Sequence, residues 1–175
     1  DSDKIIFMSK TLSAVSSELT IWKKYANSIT FAKNMLDMIG EFKINAISSE
    51  DLKKAIPFAD KPSLKNKLSD IALIYETFDA FLGEKFIDPV DSLTHLNNKL
   101  LNYNYFDKKI VIFDSFKGFT GQQYKILERI LNSAKNVYIS LTNDPEIKGD
   151  YTVYSNIRKA ATDIESIAKS RNVEV

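Results

Sequence analysis

The 175 residues carry 24 Lys and Arg against 23 Asp and Glu, a formal charge of +1, with one His and no Cys. That balance excludes a polycation acting through overall charge, so any nucleic-acid contact must come from local patches. The lack of Cys excludes disulfides, Cys nucleophiles and thiolate metal sites within these residues, and a single His excludes a His-rich zinc site. No apolar run approaches the roughly 20 residues needed to cross a bilayer, and Asp1-Ser2-Asp3 is no signal peptide. The expectation is a soluble, cytoplasmic piece with no membrane partner.

Lys4-Ile5-Ile6-Phe7-Met8 reads as a short strand beginning almost at the first residue, with residues 1–8 completing an α/β core. From Ser9 the period changes: Leu12, Val15, Leu19, Trp22 and Ala26 fall three or four apart, as on one helical face. Ser28 is a plausible cap for a second helix with Ile29, Ala32, Met35, Ile39 and Phe42 as its stripe. Ser48 and Asp51 have capping-box spacing for a short helix that should stop before Pro57. The longest amphipathic helix follows Ser63, with Leu64, Leu68, Ile71, Tyr75, Phe78 and Leu82 inward and Gly83 as a stop. Asp88 caps a further helix with Pro89 at its first position, pointing Leu93, Leu96 and Leu100 inward. His95 lies beside that row and is assigned no chemistry. Residues 9–105 thus form a helical part.

After Asp107 the grammar becomes strand, helix, strand, helix, strand. Ile110 to Phe113 is apolar throughout and is expected to be a strand buried on both faces; Gln122 to Ala134 is a helix; Val137 to Leu141 is the second strand. Ser155 opens a helix that Asn172 ends, and Val173-Glu174-Val175 is expected to start a third strand. Such alternation implies a parallel sheet with right-handed crossovers. Residues 106–175 are therefore an α/β segment, and both ends look like cuts within a longer polypeptide.

Asp114 sits at the carboxyl end of the first of these strands, where an open parallel sheet binds its ligands. It could hold Mg²⁺ or a phosphate-bound water, or only cap the turn; both readings stay open. Asp144, after the second strand, falls beside it if the two strands are neighbours. Thr120-x-x-Gln123 has capping-box spacing for the following helix. Phe116, Lys117 and Phe119 lie on the turn. Aromatics there can stack on bases while the Lys meets phosphate, or the rings can tuck under the sheet. Between Leu96 and Lys135, Lys99, Lys108, Lys109, Lys117, Lys125, Arg129 and Lys135 face only Asp107, Asp114 and Glu128. The five glycines are scattered and none precedes Lys-Ser/Thr, so these residues hold no phosphate-cradling P-loop.

The run from Lys109 through Asp114-Ser115-Phe116-Lys117-Gly118-Phe119-Thr120 to Gln123-Tyr124 resembles the Walker B region of the helicase-like domain of AddB (RexB), the B subunit of AddAB-type helicase-nucleases. Glu41-Phe42-Lys43 with Ile47 to Leu52, Leu68 to Phe78, Ile87 to Leu93 and Val137 to Pro145 resemble the same family in the same order. The resemblance implies part of a P-loop helicase-like domain, with a partial parallel sheet preceded by a large helical subdomain. It implies that Asp114, Ser115, Gln123 and Asp144 are the remnant of a nucleotide and Mg²⁺ site. Ser115 stands where active relatives carry a water-activating Glu, and a hydroxyl is no general base near neutral pH. The Gln usual after the motif of Asn143-Asp144 is absent. For the intact protein the resemblance implies a heterodimer with an A subunit, action on DNA, Mg²⁺, an iron–sulfur cluster, and processing of double-strand breaks for recombinational repair. The piece itself, with no catalytic residue assigned, would contact DNA and support the motor. Two rivals remain: a non-catalytic protein-interaction module unrelated to DNA, and, more weakly, a small Mg²⁺-dependent phosphohydrolase using Asp114 and Asp144.

Overall fold

The computed structural model describes residues 2–83, 88–144 and 154–174. It is mixed α/β, mostly helical, and divides into two compact units, Asp1–Asp91 and Ser92–Val175. The first unit begins with α1 (Ser2–Val15), so Lys4 to Met8 is helical and not a strand. The run is too short to settle its state by composition. Its neighbours decide: Met8, Thr11, Leu12 and Val15, at helical spacing, make one buried face against α2 (Ile29–Ile44) and α4 (Pro62–Gly83). The helix also stops earlier than the apolar period suggests. Leu19 and Ala26 remain buried, but a turn and a 3-10 segment (Lys23–Tyr25) bring them in.

A buried carboxylate explains that interruption. Asp70 of α4 accepts the N–H of Thr20 (2.9 Å to Oδ1), Ile21 (2.7 Å to Oδ2) and Trp22 (3.2 Å to Oδ2). A helix continued through these residues would direct their N–H groups to its own carbonyls; here the carboxylate takes them. Ser28 caps α2 by accepting from Phe31 N–H at 3.3 Å, and Ala32, Met35 and Ile39 are buried along it. Ser48 and Asp51 form the capping box of α3 (Ser49–Ala55), which packs on α4. Phe78, Met8, Leu12, Ile39 and Ile74 are fully buried at the centre of this core. Burial of each such side chain contributes about 1.5–3 kcal/mol.

Lys43 is the one buried cation of this unit among the described residues. Its ammonium lies 2.6 Å from Asp91, 2.8 Å from Asp79 and 3.5 Å from Asp88, while Lys4 bonds Asp88 at 2.7 Å. Burial alone would lower the Lys43 pKa; hydrogen bonds from its ammonium to Asp79 and Asp91, with their charges, outweigh that and raise it. Asp79 moves up as well, because burial and the neighbouring Asp91 and Asp88 charges outweigh Lys43. Three carboxylates share one ammonium, so the pair does not shift as an isolated salt bridge would. The expected cap at Asp88 is present in modified form: Asp88 Oδ1 accepts Val90 N–H at 3.0 Å, starting the 3-10 segment Pro89–Asp91.

In the second unit α5 (Ser92–Leu100) packs on α6 (Gly121–Ser133), and β1 (Ile110–Phe116) pairs with β2 (Asn136–Leu141) in parallel. Ile110 is opposite Asn136 and Phe113 opposite Ile139, the strand–helix–strand order read from the sequence. β1 is not buried on both faces: Ile112 is 70% exposed, Ile110 58% and Tyr138 57%. Val111, Phe113, Val137 and Ile139 point to the opposite, partly buried side. α7 (Ser155–Ser170) ends as Asn172 turns left-handed (φ 55°) and Val173 N–H closes on Ala168 O at 3.0 Å. Val173 and Glu174 therefore terminate that helix and form no strand, and Val175 lies outside the described residues. No described helix is long and apolar enough to cross a membrane.

Candidate functional site

The carboxyl end of β1 is shaped by a bulge. Phe113 pairs with Ile139 and Phe116 with Leu141, so Asp114 and Ser115 together oppose the single residue Ser140. Ser115 takes a left-handed conformation (φ 61°), which a non-glycine residue adopts at a cost of order 1–3 kcal/mol. Ser140 braces the bulge: its hydroxyl donates to Asp114 Oδ1 at 2.5 Å and accepts Ser115 N–H at 3.1 Å. Asp114 thereby lies on the exposed face with Ile110 and Ile112, one of its oxygens already occupied.

The extra residue also resets the alternation, returning Phe116 to the side of Phe113. Their rings meet edge to face at 5.5 Å, Phe119 stacks on Phe116 at 5.0 Å and 5°, and Tyr124 lies 5.5 Å from Phe119. All four are half-buried. The turn aromatics thus close their faces on one another, while Lys117 is exposed. Tyr124 Oη donates to Asp163 Oδ2 at 3.4 Å; burial and then that carboxylate raise the Tyr124 pKa.

Gln123 completes the capping box of α6. Its Oε1 accepts Thr120 N–H at 2.8 Å, and its own N–H donates to Thr120 Oγ1 at 3.4 Å. Beside it, Gln122 is buried, its amide donating to Thr94 Oγ1 of α5 at 3.0 Å. β1 and β2 are neighbours, which puts Asp144 three residues past the strand next to β1, but the side chain that meets Asp114 is Ser140. Ile87 and Pro145 lie outside the described residues.

The residues that sequence reasoning missed are Ser140 and Asp163. Ser140 could have been found from alternation, since Asn136, Tyr138 and Ser140 share a face and the register carries that face to Asp114. Asp163 had no local signal.

The donors present do not fit an iron–sulfur cluster, which needs Cys thiolates that these 175 residues lack. Among the described residues no three acidic or His side chains converge as a metal site. Asp114 alone could offer one carboxylate oxygen to a cation otherwise held by phosphates.

The sequence profile of the family described as ADDB, N-terminal, matches residues 1–175. The ATP-dependent helicase/deoxyribonuclease B subunit of Clostridioides difficile (strain 630) is 38% identical over 143 residues, covering 82% of this chain and 12% of the relative. Proteins of the same name from Clostridium kluyveri (strain NBRC 12016) and Clostridium novyi (strain NT) are 34% and 31% identical, each covering 99% of this chain and 15% of the relative. The chain spans less than a sixth of the length of these curated relatives.

Proposed function

Because the chain belongs to the family of AddB N-terminal regions, we propose that it is a non-hydrolysing, helicase-like part of the B subunit of an ATP-dependent helicase/deoxyribonuclease. In this reading it contacts DNA and supports a motor carried elsewhere in a heterodimer with the A subunit, during processing of double-strand breaks. Mg²⁺ and an iron–sulfur cluster, if used, belong to other parts of that assembly. The observation that carries the reading is the braced bulge. At the position that resembles a Walker B acid, Asp114 is bonded to Ser140 and followed by Ser115, a residue unable to activate water. The geometry favours a carboxylate used to hold two strands together over one poised for phosphoryl transfer.

The test is steady-state ATP hydrolysis by the intact protein, in isolation and in the heterodimer, comparing wild type with Asp114→Ala. The expected outcome is a rate within about twofold of wild type, since only a group acting in the transition state changes the barrier by the 1.4 kcal/mol or so that makes a tenfold effect. A fall of a hundredfold in the ATPase of the isolated protein would overturn the non-hydrolysing assignment.

A second reading, a protein-interaction module unrelated to DNA, draws support from the bare sheet face of Ile110, Ile112 and Tyr138. Protein binding without any salt-sensitive affinity for single-stranded DNA would favour it.

A further inference from the structure

The segment between α5 and β1 lies at the opposite end of β1 from Asp114, which is about 13 Å from Ile110 along the strand at ~3.3 Å per residue. It exposes two aromatic rings: Tyr103 is 67% accessible and Tyr105 51%. Their centroids are 6.3 Å apart at 35°. Phe106 holds Tyr105 edge to face at 5.1 Å and 89°, which fixes that ring without covering Tyr103. This contrasts with Phe116 and Phe119, whose faces are closed on each other.

Cations converge on the same place. The Lys109 ammonium sits 3.4 Å over the Tyr105 ring. Lys135 N–H donates to Lys109 O at 2.8 Å and Asp107 bridges to Ala134, so Lys108, Lys109 and Lys135 share one edge. Arg129 donates through Nε to Asn97 Oδ1 at 3.2 Å and lines a groove of about 410 Å³ with Asn102, Tyr103, Asn104 and Asn132. Three lysines on one edge and an arginine in the adjoining groove thus make a local basic surface in a chain whose net charge is only +1. Lys109 also donates to the Tyr105 carbonyl, so its charge is held at this edge by a neutral acceptor and a ring, as Arg129 is held by the Asn97 amide.

We propose that Tyr103 and Tyr105, with Lys108, Lys109, Arg129 and Lys135, form a contact site for single-stranded DNA. The inference rests on the reading of the chain as part of a DNA-processing protein and moves the contact from the Phe116 turn to the other end of β1. The Tyr103 ring, and the part of Tyr105 that Lys109 leaves uncovered, can take unstacked bases of any identity, and cations at their rim meet the phosphates. A duplex keeps its bases stacked and away from such rings. The amides of the groove match the polar edges of a base better than they match an acidic peptide.

The experiment measures binding of the 175-residue chain to a fluorescent oligothymidylate and to an abasic strand of the same length, at two salt concentrations. The double variant Tyr103→Ala/Tyr105→Ala should bind oligothymidylate at least about tenfold more weakly, the effect of losing one stacked base, while its abasic-strand affinity is unchanged. Tyr103→Phe/Tyr105→Phe, which keeps the rings, should bind as wild type does. Lys108→Ala/Lys135→Ala should weaken both strands and lower the salt slope by roughly one to two. An unchanged melting temperature checks that the exposed tyrosines are not structural. Equal affinity of the Tyr→Ala variant and wild type overturns the site. If Phe116→Ala/Phe119→Ala alone loses binding, the site is wrong and the DNA reading stands; if the wild-type chain binds no DNA, both fall.

Discussion

The first unit sends Met8 and Leu12 of α1, Ile39 of α2, and Ile74 and Phe78 of α4 into one continuous core, and its buried polar groups Thr11, Asp70, Lys43 and Asp88 each bond a partner. The second buries Ile126, Leu127, Ile130, Ile157, Ala160 and Ala168 on its helices but leaves one face of a two-stranded sheet in water. A groove of about 420 Å³ opens along β2, lined by Val137, Ile139 and Leu141 with Ala161 and Ile164 of α7. The two units hold similar numbers of residues, so size is not the difference. A helical bundle satisfies its backbone within each helix, whereas a sheet leaves edges and faces that need further elements. The residues proposed for function, Asp114, Tyr103 and Tyr105, all fall in the less closed unit.

The sharpest way to break this contrast is to cut the closed core. Phe78, 1% exposed, is expected to cost about 3–5 kcal/mol as Phe78→Ala, because the space it leaves cannot fully collapse. Trp22 is the single Trp and packs against this core. Its fluorescence in urea therefore reads the first unit alone. A loss below about 1 kcal/mol would mean that the core is not cooperatively packed.

The next effect concerns the ion cluster. Lys43→Met leaves Asp79, Asp88 and Asp91 without their shared cation, at an expected cost of about 3 kcal/mol, the low end for a buried pair because two of the acids reach water. The sign of the pH dependence follows from the shift. A raised Lys43 pKa means stabilisation fully present below the unfolded value of 10.5 and lost as pH rises through the higher folded value. Tyr75, raised first by burial and then by the Asp79 charge, acts in the same direction. In a Tyr75→Phe background the remaining alkaline loss of Trp22-reported stability should shrink on adding Lys43→Met, leaving the small part that exposed Lys53 contributes through Glu76. At low pH the effects of lowered Asp88 and raised Asp79 oppose each other. Asp88 loses its contribution as pH falls through its folded pKa, whereas Asp79 favours the fold when protonated, so the acid side should be shallower.

The smallest expected effect lies on the bare face. Ile112→Thr should change stability by no more than about 0.5 kcal/mol in the chain alone. A loss of 2 kcal/mol would show the face to be covered in solution and would erase the contrast.

Much of the site was legible because its signals are local. The capping box of Thr120 and Gln123 needs three residues, and the strand–helix–strand order needs only period and length. Ser28, Ser48 and Asn172 ended or began helices where read, for the same reason. The short apolar runs were not legible in this way. Lys4 to Met8 and Ile110 to Phe113 have similar composition, yet one is helix and the other strand. Period alone cannot separate such segments, and neighbours assign them.

By itself the sequence determined the helix caps, the crossover that makes β1 and β2 parallel, the lack of any thiol chemistry, and the presence of an acid at the end of a strand. Only the tertiary structure decided which side chain that acid meets, because the bulge that aims Asp114 at Ser140 depends on a register between residues 26 apart. The same is true of the aromatic residues. Phe116 closes on Phe119, whereas Tyr103 stays in solvent beside Tyr105, and that outcome follows from where the chain folds back rather than from residue type. Caps and periods are set by contacts within one turn; the availability of a ring or a carboxylate is set by what distant segments leave uncovered.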